Sequence, residues 1–115
     1  MKYIEREVED YFEMDWISKK ESNLPYDFFV TMNDGVNETP YIYCRRNEKD
    51  MSDAIVVSIS SNPVVLKNSF KNEEEREQVI SFIQTNKDLF IDYWNMKCST
   101  NRFFDDIKGI VDENI

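Results

Sequence analysis

The hydrophobic pattern changes its period near Asn72, and this change constrains the fold more than any other feature of the sequence. Before it, residues 26–32, 41–45 and 53–60 form short runs rich in aromatic and β-branched side chains, which is typical of strands. After it, apolar residues recur at spacings of three and four, which is typical of amphipathic helices. Strands followed by helices predict an α+β fold with the helices on one face of an antiparallel sheet.

The sequence predicts a small sheet of three to four strands within about residues 11–60, with one further short extended piece at residues 64–66. Two to three C-terminal helices follow, over about residues 73–84, 87–97 and 100–110; one long kinked helix plus a short one is the alternative. Asn72 with Glu75 three residues later resembles a capping box at the start of the first helix. With 115 residues and no internal linker, the chain is expected to form a single domain over 1–115.

The N-terminal residues fit two periods at once. Ile4, Val8, Tyr11 and Phe12 follow the spacing of a helical stripe. From Ile4 onward, however, apolar residues also occupy even positions and acidic residues odd ones, as in a strand with one solvated face. We therefore predict a short helix near residues 2–9 and then a strand near 11–18.

Composition excludes several classes of enzyme. The chain has 14 Lys and Arg against 23 Asp and Glu, a net charge of −9, and no histidine. Ser-His or Cys-His catalysis and His-ligated zinc are therefore excluded, and two glycines are too few for a phosphate-binding loop. We expect no cofactor, no metal and no enzymatic activity.

Two observations bear on the location of the chain. The N-terminus is too acidic for a signal peptide, and no apolar run approaches the ~20 residues that cross a bilayer. Cys44 and Cys98 form no CxxC pair, so two free thiols are expected, each as a small buried apolar side chain. We expect a cytoplasmic protein that does not associate with a membrane.

Arg45, Arg46 and Lys49 form the one basic cluster, beside Tyr41 and Tyr43. Cations interleaved with aromatic rings can hold single-stranded nucleic acid. In a chain of net charge −9 an ordinary charged hairpin is the favoured interpretation, and direct binding to nucleic acid is not expected.

The most unusual feature is a net charge of −5 over residues 5–15. If this segment were a strand, its odd-numbered carboxylates would project from one face at intervals of about 7 Å. Such a row can be simply a solvated face, can oppose a basic protein partner, or, least favoured, can hold a hard cation. With the neighbouring tryptophan, which is the kind of side chain that anchors interfaces, the candidate partner-binding residues are Glu5, Glu7, Glu9, Glu13, Asp15 and Trp16.

Residues 62–94 resemble small bacterial domains of unknown function of the type called domain of unknown function 4160. The resemblance implies a strand-rich compact domain with a helical tail, in a family whose members often occur in gene pairs of toxin–antitoxin character. The family commonly has a histidine-rich strand where this chain has residues 40–44, so functions tied to those histidines are not implied here. The matching residues are Pro63, Val65, Leu66, Ile80, Ile83, Asn86, Leu89 and Trp94.

Three functions remain as hypotheses. The favoured one is a small acidic bacterial protein that acts without catalysis, by binding another protein through an acidic and aromatic surface. The alternative is an acidic antitoxin, or an inhibitor that mimics nucleic acid and binds a basic partner. A histidine-independent enzyme is the least favoured.

Overall fold

Within the part of the chain that the structure describes, five strands form an antiparallel sheet in which each strand pairs with its neighbours in sequence, in the order β1-β2-β3-β4-β5. The computed structural model describes residues 3–4, 15–46 and 53–109. The strands are β1 (Trp16–Ile17), β2 (Asp27–Val30), β3 (Tyr41–Arg45), β4 (Ile55–Ser58) and β5 (Val65–Lys67). Four helices accompany them: α1 (Lys19–Ser22), α2 (Glu73–Thr85), α3 (Lys87–Trp94) and α4 (Thr100–Asp106).

One face of the sheet packs against the helices and forms the main core. Phe28, Cys44 and Ile55 lie opposite one another across β2, β3 and β4, with Ile17 of β1 in the same row. From the helices, Phe90 and other buried side chains meet this face. Successive side chains of a strand lie on opposite sides of the sheet, so the odd-numbered residues of β2 and β3 lie on the side away from this core.

The other side of the sheet, called here the aromatic face, carries a second buried cluster. Trp16, Phe29, Tyr43 and Val56 are register partners across β1 to β4. Trp94, from the end of α3, places its ring 5.3 Å from that of Tyr41 on this side. The cluster is completed by Ala54, Leu66, Tyr41 and Tyr3. Because both sides of β2 and β3 are buried, their sequences are apolar or aromatic at nearly every position.

The start of α2 follows the sequence prediction only in part. Asn72 caps the helix, since its side chain accepts a hydrogen bond of 2.8 Å from the backbone N–H of Glu75. The Glu75 carboxylate does not return to the cap, however, because it pairs with Arg46 and accepts a 3.1 Å hydrogen bond from the Tyr26 hydroxyl. Glu75 therefore ties α2 to the end of β3 instead of closing a capping box.

The α+β class is confirmed, with differences in detail. The sheet has five strands because the extended piece at Val65–Lys67 pairs with β4. The second and third C-terminal helices end at Trp94 and Asp106, earlier than predicted. The chain reverses at Met96, whose φ is 58°, and the Lys97 N–H bonds back to the Asp92 carbonyl at 2.8 Å, which terminates α3.

The polar segment after β1 contains the short helix α1, which the hydrophobic pattern does not predict. Ser18 and Glu21 form a reciprocal capping box there, so one helical turn is stabilised without an apolar stripe. Most of the predicted helix near residues 2–9 and of the predicted strand near 11–18 lies outside the described residues; residues 3–4 of that helix are described and are not helical. The part of that strand that is described is β1.

Candidate functional site

Of the six residues predicted to bind a partner, Asp15 and Trp16 lie within the described part of the chain, and Glu5, Glu7, Glu9 and Glu13 lie outside it. Asp15 joins the start of β1 to the helices. Its N–H donates to the Tyr93 hydroxyl at 3.3 Å, and its carboxylate accepts from the Thr100 hydroxyl at 3.1 Å. Its carbonyl accepts from the Val30 N–H at 2.9 Å. Asp15 therefore positions the edge strand and is not a free surface carboxylate.

Trp16 presents an exposed ring on a fixed support. The side chain is 47% exposed, and its ring lies almost parallel to that of Phe29, at 5.8 Å between centroids. Phe29 is in turn covered by the Arg45 guanidinium, 4.7 Å from the ring centroid. Because Phe29 is held in the sheet, the Trp16 ring has a defined orientation before any partner binds.

Several connections meet at one end of the sheet, which we call the loop end. β1 begins there, β2 passes into β3 and β4 passes into β5, and α3 terminates there. The Asn33 N–H bonds to the Trp94 carbonyl at 2.9 Å, which joins the β2–β3 connection to the end of α3. The Ser58 N–H bonds to the Val64 carbonyl at 2.9 Å, which places Val64 at the same end.

The loop end collects the exposed apolar side chains. Seven large hydrophobic side chains are exposed among the described residues, and all but Phe104 of α4 belong to this end of the fold. Met96 is the most exposed of them, at 71%. Single exposed apolar residues are ordinary on protein surfaces, but their concentration at one end is typical of an interaction surface. The six are Ile4, Trp16, Met32, Val36, Val64 and Met96.

A hydrogen-bonded network centred on Asp34 shapes the β2–β3 connection. Its carboxylate accepts bonds from the Val36 N–H at 2.8 Å, the Asn37 N–H at 2.7 Å and the Tyr41 hydroxyl at 2.7 Å. Partial burial opposes ionisation of Asp34, but the donors from Asn37, Tyr41 and Val36 prevail and lower its pKa to about 2. Asp34 is therefore a permanent negative charge at the loop end.

The same network attaches the N-terminal residues to the sheet. The Asn37 side chain accepts from the Ile4 N–H at 2.7 Å and donates to the Ile4 carbonyl at 2.9 Å, in the manner of a neighbouring strand. The preceding Tyr3 ring packs edge-on against Tyr41, 5.3 Å between centroids. Residues 5–14 therefore connect two fixed points, Ile4 and Asp15, both at the loop end.

The Asp34 network makes stability depend on acid pH. Since the pKa of Asp34 falls from 3.8 in the unfolded chain to about 2 in the folded one, its contribution is complete above about pH 4 and is lost as the pH falls through 2. We expect Asp34→Ala to lower the free energy of unfolding by about 1–2 kcal/mol at pH 7. Urea titrations between pH 2 and 7 measure this, and the difference from wild type should shrink below pH 4. The control Glu38→Ala removes an exposed carboxylate nearby and should change little; a difference for Asp34→Ala that stays constant down to pH 2 contradicts the assignment.

The opposite end of the sheet, called here the basic end, holds the arginines of the predicted basic cluster. Arg45 bonds to the Asp27 carboxylate at 3.2 Å, and Arg46 pairs with Glu75. Arg46 also lies 5.0 Å from the centroid of the Tyr26 ring. Both guanidinium groups thus have carboxylate partners, as in an ordinary charged hairpin; Lys49 lies outside the described residues.

The two cysteines are free, and neither is an activated thiol. Cys44 is fully buried on the helix side of the sheet, and burial raises its pKa. Cys98 was predicted to be buried but is only partly so, packed beside the core; burial is also the main cause of its raised pKa. A thiol with a raised pKa is a poor nucleophile at neutral pH.

Two surface clefts lie among the helices. One, of about 470 Å³, is bordered by Leu24, Phe82 and Lys108; the other, of about 520 Å³, separates α3 from α4. In the second cleft Arg102 bonds to Asp92 at 3.1 Å and to Asp106 at 3.2 Å, so these three side chains are already paired with one another.

Within residues 3–4, 15–46 and 53–109, no group of three or more acidic or cysteine side chains is arranged to hold a metal ion. No helix in that part of the chain has the length and apolar character needed to cross a membrane.

No protein-family model matches the chain, and neither a curated protein nor a solved structure does. The resemblance of residues 62–94 to a family of small bacterial domains stays a prediction. The candidate site therefore depends on the geometry of the loop end alone.

Sequence reasoning found Trp16 but missed Met32, Val36 and Met96. Nothing in the local pattern distinguishes these side chains from ordinary loop residues, and Met96 follows Met32 by 64 positions. No sequence signal marks Met96, because Asn95, the residue before it, is of the type that usually takes the left-handed conformation at a helix end.

Proposed function

We propose that the chain is a non-enzymatic cytoplasmic module that binds another protein through the loop end. The observation that carries this proposal is the location there of six of the seven exposed large hydrophobic side chains in the described part of the chain. Trp16 is suited to anchor such an interface, because tryptophan is enriched among the residues that contribute most to binding.

The distribution of charge supports a basic partner. The described residues include 14 acidic and 11 basic side chains, a net charge of −3 out of −9 for the whole chain. Much of the remaining negative charge belongs to residues 5–14, whose flanking residues Ile4 and Asp15 are both fixed at the loop end. Charge concentrated beside apolar anchors accelerates association with an oppositely charged partner and sets its orientation.

The test begins with capture of partners from a bacterial lysate, followed by measurement of Kd for the purified partner. Trp16→Ala is expected to weaken binding at least about thirtyfold, corresponding to about 2 kcal/mol for an aromatic anchor. Phe104→Ala is the matched control, since Phe104 is a 38% exposed aromatic on α4 and is not one of the six exposed side chains assigned to the loop end. Equal loss of affinity in the two variants, or none in either, refutes the loop end as the interface.

The same assay separates the proposed module from an acidic antitoxin or a mimic of nucleic acid. Replacing Glu5, Glu7, Glu9 and Glu13 by glutamine removes four charges from the N-terminal segment; amide replacement of Glu74, Glu77, Asp88 and Asp105, all exposed on the helices, removes four elsewhere. For the proposed module, only the first set should weaken binding and reduce its salt dependence, and Trp16→Ala should weaken binding more than either. A steep salt dependence with no effect of Trp16→Ala would favour the mimic.

A further inference from the structure

We infer that the loop end takes a cationic amphipathic segment of its partner, with apolar side chains of that segment on Met32 and Met96 and its lysine or arginine side chains beside Asp34 and Glu38. The inference rests on the proposed function and specifies the chemistry of the partner. Four observations lead to it: the position of the methionines, the backbone at Met96, the carboxylates of the β2–β3 connection, and the net charge of the chain.

The two methionines belong to segments that are joined by hydrogen bonding. Met32 precedes Asn33, whose N–H bonds to the Trp94 carbonyl at 2.9 Å, and Met96 follows Trp94 by two residues. Both side chains are exposed. Methionine is flexible and polarizable, and surfaces that bind amphipathic segments use it for this reason.

Met96 has a backbone conformation that its side chain does not favour. Its φ of 58° lies in the left-handed region, where glycine or asparagine is the usual residue at the end of a helix. The side chain points into solvent more than any other large hydrophobic of the described chain, so packing within the fold does not explain the choice of methionine. A role for the side chain in contacts outside the molecule does explain it.

The connection that follows Met32 contains two carboxylates. Asp34 and Glu38 belong to the β2–β3 connection, and the carboxyl-terminal end of α3, which is the negative end of a helix dipole, meets that connection at Asn33. Lys97 is a cation near this surface. At the basic end, by contrast, Arg45 and Arg46 are paired with the carboxylates of Asp27 and Glu75.

Net charge argues against a second copy of the chain as the occupant. Two copies that meet at their loop ends would bring Asp34 and Glu38 of each copy together, in chains that each carry a net charge of −9. A cationic segment is attracted to this surface, whereas a second copy of the acidic chain is repelled by it. The complementary occupant is therefore a positively charged apolar segment of a different protein.

Synthetic helical peptides test this chemistry directly. The first peptide is amphipathic and contains only leucine and lysine; the second has glutamate in place of lysine, and the third has serine in place of leucine. Calorimetric titration of the full chain should show binding of the first peptide, with Kd at least about tenfold lower than for either of the others. Equal binding of the glutamate peptide would overturn the inference, as would equal binding of the serine peptide.

Variants then locate the peptide on the surface. Met32→Ser combined with Met96→Ser should raise Kd for the leucine-lysine peptide at least about tenfold, and Phe104→Ser, on α4, should leave it unchanged. Met96→Gly separates binding from folding, because glycine relieves the left-handed backbone, and this variant should be at least as stable as wild type yet bind more weakly. Unchanged peptide binding in both methionine variants overturns the inference.

The two proposals fail in distinguishable ways. If Trp16→Ala abolishes capture of the natural partner while the methionine variants bind the peptide normally, the loop end is an interface for a partner of other chemistry. If Phe104→Ala and Trp16→Ala affect the natural partner equally, the proposed function fails, whatever the peptides do. Sedimentation of the free chain should show a monomer, and a dimer that Met96→Gly dissociates would replace the cationic segment by a second copy.

Discussion

Replacing Phe103 by alanine is expected to lower the free energy of unfolding by about 3–5 kcal/mol. Phe103 has no exposed surface and is the buried residue of α4; its ring lies 5.3 Å from that of Tyr93 and 6.0 Å from that of Phe90. A helix of seven residues is not stable in isolation, so its attachment to the domain depends on this side chain. Urea denaturation measures the loss, and amide hydrogen exchange should show that α4 is the least protected helix of the variant.

The neighbouring Phe104 provides the control for this substitution. Its side chain is partly exposed, and Phe104→Ala should cost less than about 1 kcal/mol. If the two alanine variants are destabilised equally, α4 is not anchored through Phe103. The two phenylalanines are adjacent in sequence and differ in burial alone, so the comparison does not depend on helix propensity.

Replacing Arg45 by alanine is expected to cost about 3–5 kcal/mol, because the substitution leaves a buried carboxylate without its cation. The side chain of Asp27 is 6% exposed and that of Arg45 is 18% exposed. The other Asp27 oxygen accepts from the Lys19 N–H at 3.0 Å, so the carboxylate also holds the start of α1. The loss is measured by thermal and urea unfolding of the variant at neutral pH.

An exposed ion pair provides the control, because it has the same charges as the Arg45–Asp27 pair but little burial. Arg76 bonds to Glu73 at 3.1 Å on the exposed side of α2, and Arg76→Ala should cost less than about 1 kcal/mol. The double variant Asp27→Asn with Arg45→Met should recover much of the loss, since asparagine still accepts from Lys19 and methionine still covers Phe29. If the double variant is as unstable as Arg45→Ala alone, the loss of stability comes from packing and not from leaving the Asp27 carboxylate without its cation.

The fold class was predictable because each element carries its own local signal. Tyr41–Arg45 matched its predicted bounds, and the start of α2 at Glu73 was marked by its asparagine cap. The fifth strand was harder to predict, since Val65–Lys67 has only three residues and is a strand because β4 pairs with it. α3 ends early because Met96 adopts a left-handed backbone conformation. Methionine does not favour that conformation as glycine does, so the sequence does not predict the end of the helix.

The candidate site was predictable only where one residue stood out. Trp16 is large, aromatic and adjacent to an acidic segment, so it could be selected from the sequence alone. The role of Asp15 could not be inferred, because its partners Tyr93 and Thr100 are 78 and 85 residues away. The aromatic pattern also gave no reason to expect that Tyr41 and Tyr43 would be buried on the second side of the sheet rather than exposed beside a basic cluster.

The order of the five strands sets the sequence of folding events. Each hairpin closes between neighbours in the chain, so the sheet requires few long loops to be closed before its contacts form. The bonds that join β1 to α3 and α4 span 78 and 85 residues, so they close long loops and we expect them to form late. During synthesis, therefore, the sheet can assemble while the helices are still emerging, and its helix side stays open to solvent until α2 to α4 dock.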